Sequence, residues 1–392
     1  MKILHTSDWH IGRTFHGHST LENLRSVLAA LGAEVREREI DVVLVAGDVF
    51  DSAMPSAECF SVLSTALRDI RTAGAEVVVT SGNHDSATRL GFQAEWATLA
   101  GIHIVTRPDQ YLEPISIDDA YGPVLFYGIP YLEPSIFRSS HPEADLRTHE
   151  QVLGFVMEAI RADATARESR YVVLSHCFAS GVAAHDEASD VERDITSGGL
   201  NLVPASVFDR PGFDGPDYVA LGHIHGRTTI TERVRYSGAP LHYSFGEAGK
   251  PRGGWLVELD AGGVDTVDWL DLPVPRRLSI ITGELDELLA SPEHSAVESD
   301  WVAAIITDRV RPMDAMRRLQ ARFPNCAMLE YRPVVSSEAP DVTYRERIAK
   351  KSDTEIVAGF LELVRNGVGP SDFETALIAE VVAEQAAEEA KA

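Results

Sequence analysis

Five short apolar runs, each ending on an oxygen or imidazole donor, limit what this chain can fold into more than any other feature. They are ILHTSD (3–8), DVVLVAGD (41–48), EVVVTSGNHD (76–85), YVVLSHC (171–177) and YVALGHIH (218–225). Short valine- and isoleucine-rich runs without polar alternation read as strands buried on both faces. Between the first two, Leu21, Leu24, Leu28, Leu31 and Val35 recur at three- and four-residue spacing, which marks a helix with one core-facing side. Strands alternating with helices imply a layered α/β architecture. WLVELDAGGVDTVDWLDL (255–272) reads as a β-hairpin turning at Ala261–Gly263.

A chain of 392 residues exceeds what one core usually serves, so two or three domains are expected. The pattern changes at LPVPRRL (272–278), where two prolines break it, placing domains at 1–272, 273–340 and 341–392. Residues 279–336 read β-α-β, with a helix from Pro312 to Phe323 that sets Met316, Leu319 and Phe323 on one face. Arg309, Arg311, Arg317, Arg318 and Arg322 put five arginines in fourteen residues, either a solvated helix face or a phosphate contact. The last segment is helical and acidic. Ile356, Phe360 and Leu363 form one stripe, and Ser371 with Glu374 makes a capping box before Phe373, Leu377 and Val381. Such stripes return to the parent core or dock on a partner helix.

Composition removes several classes. No apolar run approaches the roughly 20 residues of a membrane span, and no leader pattern opens the chain, so a cytoplasmic protein is expected. Cys59, Cys177 and Cys326 form no CxxC pair, which argues against a disulfide framework or thiolate metal site. The net charge of −25 opposes gripping nucleic acid through the overall field, although bound cations and a local basic patch reverse the potential where phosphates sit.

The run ends supply Asp8 and His10, Asp48, Asn83 and His84, His176, and His223 and His225. In a strand, residues two apart face the same way, so Asp8 and His10 would aim at one object. In open α/β sheets the loops at the carboxyl ends of strands share a crevice, so the five sets are expected to converge there. Carboxylate, amide and imidazole without thiolate suit manganese, magnesium, iron or zinc, with manganese the best single fit. Asp48, central among the motifs, is the natural bridge between two cations. Gly47, Gly82 and Gly222, just before donors, allow sharp turns.

The order D-x-H, GD, GNH, H and GHxH resembles that of the calcineurin-like metallophosphoesterases. ILHTSDWHIG, VAGDVFD, GNHDS, DVERDI–GG (190–199), PDYVALGHIH and VRYSGAPLHYSF (234–245) resemble, more narrowly, the nuclease subunits of bacterial DNA-repair complexes built with an SMC-like ATPase. The resemblance implies a β-sandwich flanked by helices, a small α+β (β-α-β) capping domain and a helical C-terminal tail. It implies one cation on Asp8, His10, Asp48 and His225, and a second on Asp48, Asn83, His176 and His223. His84 is then the catalytic, nonligating histidine, and Asp51 its orienting carboxylate, as in the GDxxD motif of related phosphatases. The implied reaction is manganese-dependent phosphodiester hydrolysis, exonucleolytic on double-stranded DNA ends and endonucleolytic on hairpins and single strands. ATP enters only through the partner. The β-α-β unit would touch DNA, the terminal helices would dock the ATPase, and the nuclease domain would pair with itself in a two-plus-two complex. The competing readings are hydrolysis of small phosphodiesters or nucleotides, and an inactive scaffold for an ATPase. His16 and His18 are candidate substrate contacts, whereas Trp9 and Cys177 read as core.

Overall fold

The computed structural model describes residues 1–179, 202–209, 215–333, 351–365 and 367–389; the DVERDI–GG stretch lies outside them. Two compact units divide at Arg277/Leu278.

The first unit is built on two six-stranded sheets. In one, Lys2–Thr6, Val42–Ala46, Glu76–Thr80 and Ile102–Val105 run parallel, and the hairpin Gly253–Asp260/Gly263–Asp271 adds antiparallel beside Lys2–Thr6. In the other, Gly122–Ile129, Arg170–His176, Tyr218–Gly222 and Val234–Tyr236 are parallel, with short antiparallel strands at both edges. Alternate residues of these strands go to opposite faces, and both faces are covered. Ile3, Val42, Leu44, Val78, Phe126, Val172, Leu174 and Ala220 fill the space between the sheets. Leu4, Val43, Val45, Val77 and Val79 turn outward onto the helices Leu21–Glu37 and Ala57–Ala73, where Leu24, Leu28, Leu31 and Val35 are buried. Tyr127, Val173, Val219 and Leu221 do the same beneath His149–Arg167. Double coverage is why the runs lack polar alternation.

The sheets meet closely at the carboxyl ends of their parallel strands. A Cβ on Gly222 would stand 1.8 Å from the carbonyl oxygen of Ala46, in the facing sheet. Only glycine fits there, and that approach brings the loops of both sheets to one place.

In the second unit Leu278–Gly283, Trp301–Ile306 and Cys326–Tyr331 form a parallel sheet. It packs against the helices Leu285–Ala290 and Ala315–Arg322 through Ile281, Leu285, Leu288, Val302, Leu319 and Phe323. The second of these helices starts at Ala315 rather than Pro312, because Asp314 takes a left-handed φ of 53° and breaks the turn before it. The terminal helices Asp353–Val364 and Asp372–Glu389 each open on a reciprocal serine–glutamate cap, and Arg365 grips Glu374 between them at 2.7 and 2.9 Å. Phe360, Leu363, Phe373, Leu377 and Val381 are exposed. No helix of the described residues is long and apolar enough to cross a membrane.

Candidate active site

Beyond the strand ends the backbone leaves the extended conformation. Asp8 (φ 53°), His10 (φ 43°), Asp48 (φ 49°) and His223 (φ 108°) all occupy the left-handed half of the map. Asp8 and His10 therefore converge through a turn and not through strand alternation. Such residues cost about 1–3 kcal/mol each and persist only where the surroundings fix them. Here the surroundings are two loops bonded side by side: Asp8 N–H to Gly47 O (3.1 Å), His10 N–H to Asp48 O (2.9 Å) and Ile11 N–H to Val49 O (2.9 Å). A third loop is tied in by Asp85, whose carboxylate accepts from the main-chain N–H groups of Val49 (3.0 Å), Phe50 (2.9 Å) and Gly82 (2.9 Å). A Cβ at Gly82 would lie 2.1 Å from Asp48 Oδ1.

These loops gather Asp8, His10, Asp48, His176, His223 and His225, all buried, with Asn83 and His84 half-buried beside them. Three groups have donor atoms close enough to share an ion: Asp8–His10–His225, Asp48–His176–His223 and His10–Asp48–His84. The first two define two distinct metal-binding triads. Asp48 Oδ2 lies between them, 3.6 Å from His10 Nε2 and 3.3 Å from His176 Nε2. Asn83 Oδ1 is 3.0 Å from His176 Nε2 and 3.1 Å from His223 Nδ1. His10 Nε2 and His225 Nε2 face each other at 3.0 Å.

The donor set fits cations. His176 Nδ1 donates to Ala46 O at 3.0 Å, so the neutral ring turns a lone pair at Nε2 toward Asn83 Oδ1 and Asp48 Oδ2. Unless the ring takes a proton at Nε2, three acceptors face one another and repel, so the spot draws positive charge, whether a proton or a cation. The proton affinities show that draw. Burial pushes Asp8 up to about 6 and His10 down to about 4. Against the same burial, the Asp48 carboxylate raises His176 to about 9, and His176 holds Asp48 well below the usual carboxylate range.

Asp51 is oriented differently from the expectation. Its carboxylate is 3.3 Å from His10 Nδ1 and 3.3 Å from the Arg13 guanidinium, whereas His84 Nδ1 meets the main-chain carbonyl of Asp51 at 3.0 Å. The reason is the backbone pairing of this loop with Ile11, which turns the side chain toward the first loop. Trp9 is fully buried, its Nε1–H donating to Thr6 Oγ1, and Cys177 is buried as well. His16 and His18 lie on an exposed two-stranded turn. In the second unit Arg317 holds Asp314 (2.8 Å), Arg318 holds Asp286, and Arg322 holds Glu298 (3.0 Å) and Leu288 O (2.9 Å). Arg311 lies over the Tyr331 ring, and with Arg317, Met316, Gln320 and Leu329 lines a cavity of about 460 Å³; Arg309 is exposed.

Sequence reasoning missed Asp85, Glu247 and Arg252. Asp85 carried a signal, since aspartate beside a glycine turn habitually accepts from nearby main-chain N–H groups. Glu247 and Arg252 carried none beyond their charge.

Residues 1–227 match the family model of the calcineurin-like phosphoesterases, and the chain belongs to that family. With its metal-binding triads, this is a metal-dependent hydrolase. Residues 274–365 match a second model, SbcD_C, described as the Type 5 capsule protein repressor C-terminal domain. Phosphoesterase domain followed by that module is the arrangement of SbcD, and the chain is an SbcD-family nuclease. Among solved structures it is similar to TT1561 of Thermus thermophilus, at 13% identity over 69% of this chain and 98% of that one, TM-score 0.39. A dimetal phosphatase from Danio rerio matches at 13% identity over 70% and 99%, TM-score 0.40. GAP50, the anchor in the inner membrane complex of Plasmodium, matches at 9% identity over 87% and 98%, TM-score 0.35.

Proposed function

We propose that this protein is the nuclease subunit of an SbcC–SbcD-type complex. It hydrolyses phosphodiesters at double-stranded DNA ends and in hairpins, with two divalent cations, manganese foremost. The observation that carries this reading is the gathering of Asp48 Oδ2, Asn83 Oδ1 and His176 Nε2 beside the Asp8–His10–His225 triad in one largely buried cluster. In the proposed ligation Asp8, His10, Asp48 and His225 hold one cation and Asp48, Asn83, His176 and His223 the other. Bound there, the cations would supply charge to the phosphate and make a water acidic enough to attack at neutral pH. The protein's own part is to fix the donors and manage the leaving proton. The Asp51 carbonyl accepts from His84 Nδ1–H, so His84 carries its exchangeable site at Nε2 and protonates the departing oxygen.

The second unit contributes duplex contacts through Arg309, Arg311 and Arg317, the last strongly exposed beside its near neighbour Asp314, while Arg318 and Arg322 reach to carboxylates on other segments, Asp286 and Glu298. The exposed Phe360, Leu363, Phe373, Leu377 and Val381 form the docking face for the SbcC ATPase. Phe92, Trp96 and Leu99, each more than 70% exposed in the first unit, form the surface on which a second copy pairs, giving the two-plus-two assembly.

The test offers the full-length protein with manganese, alone and with the ATPase partner and ATP, three substrates: blunt linear duplex, hairpin DNA and bis-p-nitrophenyl phosphate. Degradation of the duplex and opening of the hairpin are expected. Hydrolysis of the small diester alone, with partner and ATP present, would transfer the activity to small phosphodiesters, the reading that the net charge of −25 favours.

A further inference from the structure

At one edge of the first unit the hairpin Gly253–Asp260/Gly263–Asp271 faces the strand Val234–Tyr236 of the other sheet, and the Trp255 Nε1–H donates across to Tyr236 O at 2.9 Å. Trp255 and Trp269 stand opposite one another on that hairpin, edge to face, with ring centroids 5.1 Å apart. Trp255 is buried and Trp269 half-buried. Two arginines lie over them. The Arg235 guanidinium is 4.7 Å from the Trp255 centroid and donates to Thr229 Oγ1 at 2.7 Å. The Arg227 guanidinium is 4.8 Å from the Trp269 centroid and 5.9 Å from that of Trp255. Arg227 is exposed, and among the described residues its guanidinium has no hydrogen bond or ion pair. By contrast, Arg13 and Arg252, which also border the metal cluster, are paired with Asp51 (3.3 Å) and Glu247 (2.6 Å). The hairpin's own Asp271 accepts from the Trp269 Nε1–H at 2.8 Å. Arg227 follows His225 by two residues, so their Cα atoms are at most about 7.6 Å apart. Its main chain is seated against Gly238, where a Cβ would meet His225 O at 2.5 Å and Arg227 N at 3.0 Å.

A chain of net charge −25 repels a polyanion unless a fixed cation meets it at the site. Indole rings hold a guanidinium by its flat side and leave the N–H donors, which lie in its plane, open at the edge. That edge takes a phosphate on two parallel hydrogen bonds. Resting on the nuclease reading, we propose that Arg227, seated on Trp269 and Trp255, anchors a second phosphate of the substrate, one flanking the bond that is cut. The metal cluster engages a single phosphodiester, and the anchor makes the site select a strand over a small diester.

The test offers the full-length protein with manganese three probes: an oligothymidylate, the same strand with every second linkage a neutral methylphosphonate, and bis-p-nitrophenyl phosphate. In the wild type the all-phosphate strand is expected to show a KM about tenfold or more below that of the alternating strand, the worth of one charged hydrogen-bonded contact. In Arg227→Gln that gap closes, and Arg227→Lys, which keeps the charge without the flat fork, recovers part of it. A gap as wide in Arg227→Gln as in the wild type overturns the inference. So does an equal fall on all three probes, which would make Arg227 a support of the His225 loop. A wild type that hydrolyses the small diester and neither strand also overturns the anchor, whereas one that hydrolyses none of the three brings down the nuclease reading itself.

Discussion

The sharpest perturbation of the proposed chemistry is His84→Gln. His84 lies half-buried, 4.9 Å from His10 ring to ring and nearly perpendicular to it, with its main-chain N–H on Asp48 Oδ1 at 2.9 Å and Nδ1 on the Asp51 carbonyl at 3.0 Å. Glutamine preserves the main-chain bond, and its amide can still donate to that carbonyl. It cannot deliver a proton to a leaving oxygen. General acid catalysis by a placed imidazole is worth about 10²–10⁴ in rate, or about 2.7–5.4 kcal/mol at 1.36 kcal/mol per tenfold. The expected result is a fall in single-turnover cleavage of linear duplex within that range, with two manganese ions retained per chain. The assay pairs quenched-flow cleavage with manganese stoichiometry by elemental analysis. The opposing outcome is structurally concrete, because His84 also shares a donor group with His10 and Asp48. Loss of one manganese ion in the variant would make His84 a ligand and refute its assignment as the acid.

Three further outcomes follow from particular contacts. Gly82→Ala puts a Cβ 2.1 Å from Asp48 Oδ1 and 2.3 Å from its nitrogen, and should abolish binding of the second manganese in calorimetry while the far-ultraviolet circular dichroism stays that of the wild type. Asp119 is held at about 2 by the bidentate Arg170 pair (2.6 and 3.0 Å), which also takes Asp260 O, so the pair links one sheet to the hairpin of the other. Because the folded value lies below the unfolded 3.8, this stabilisation is complete above that pH and is lost as pH falls toward 2; Asp119→Asn should cost about 2 kcal/mol in urea unfolding at pH 7 and almost nothing near pH 2. Arg311→Glu with Arg317→Glu should weaken duplex binding uniformly across sequences and reduce the slope of log affinity against log salt by about 2, read by fluorescence anisotropy; an unchanged slope would leave both as solvated side chains.

By itself the sequence determined the strands, the helix faces and the donors. These are short-range properties: a run of valines that needs cover on both sides, leucines three and four apart, and a histidine or aspartate at the point where the run stops. The hairpin turn expected at Ala261–Gly263 was legible for the same reason, and in the structure Asp260 pairs with Gly263 across it. Tertiary structure alone decided how the donors are oriented and backed. Asp51 turns to His10 because its loop is bonded to Ile11, a contact between segments about forty residues apart. Glu247 stands behind His225 because the chain folds back after Tyr236 and pairs its buried charge with Arg252. Even the convergence of the two sheets hangs on the absent Cβ of Gly222 against Ala46 O. Periodicity reports which face of an element seeks cover, whereas the partner of a loop carboxylate is chosen by whichever distant group the completed core brings within reach of it.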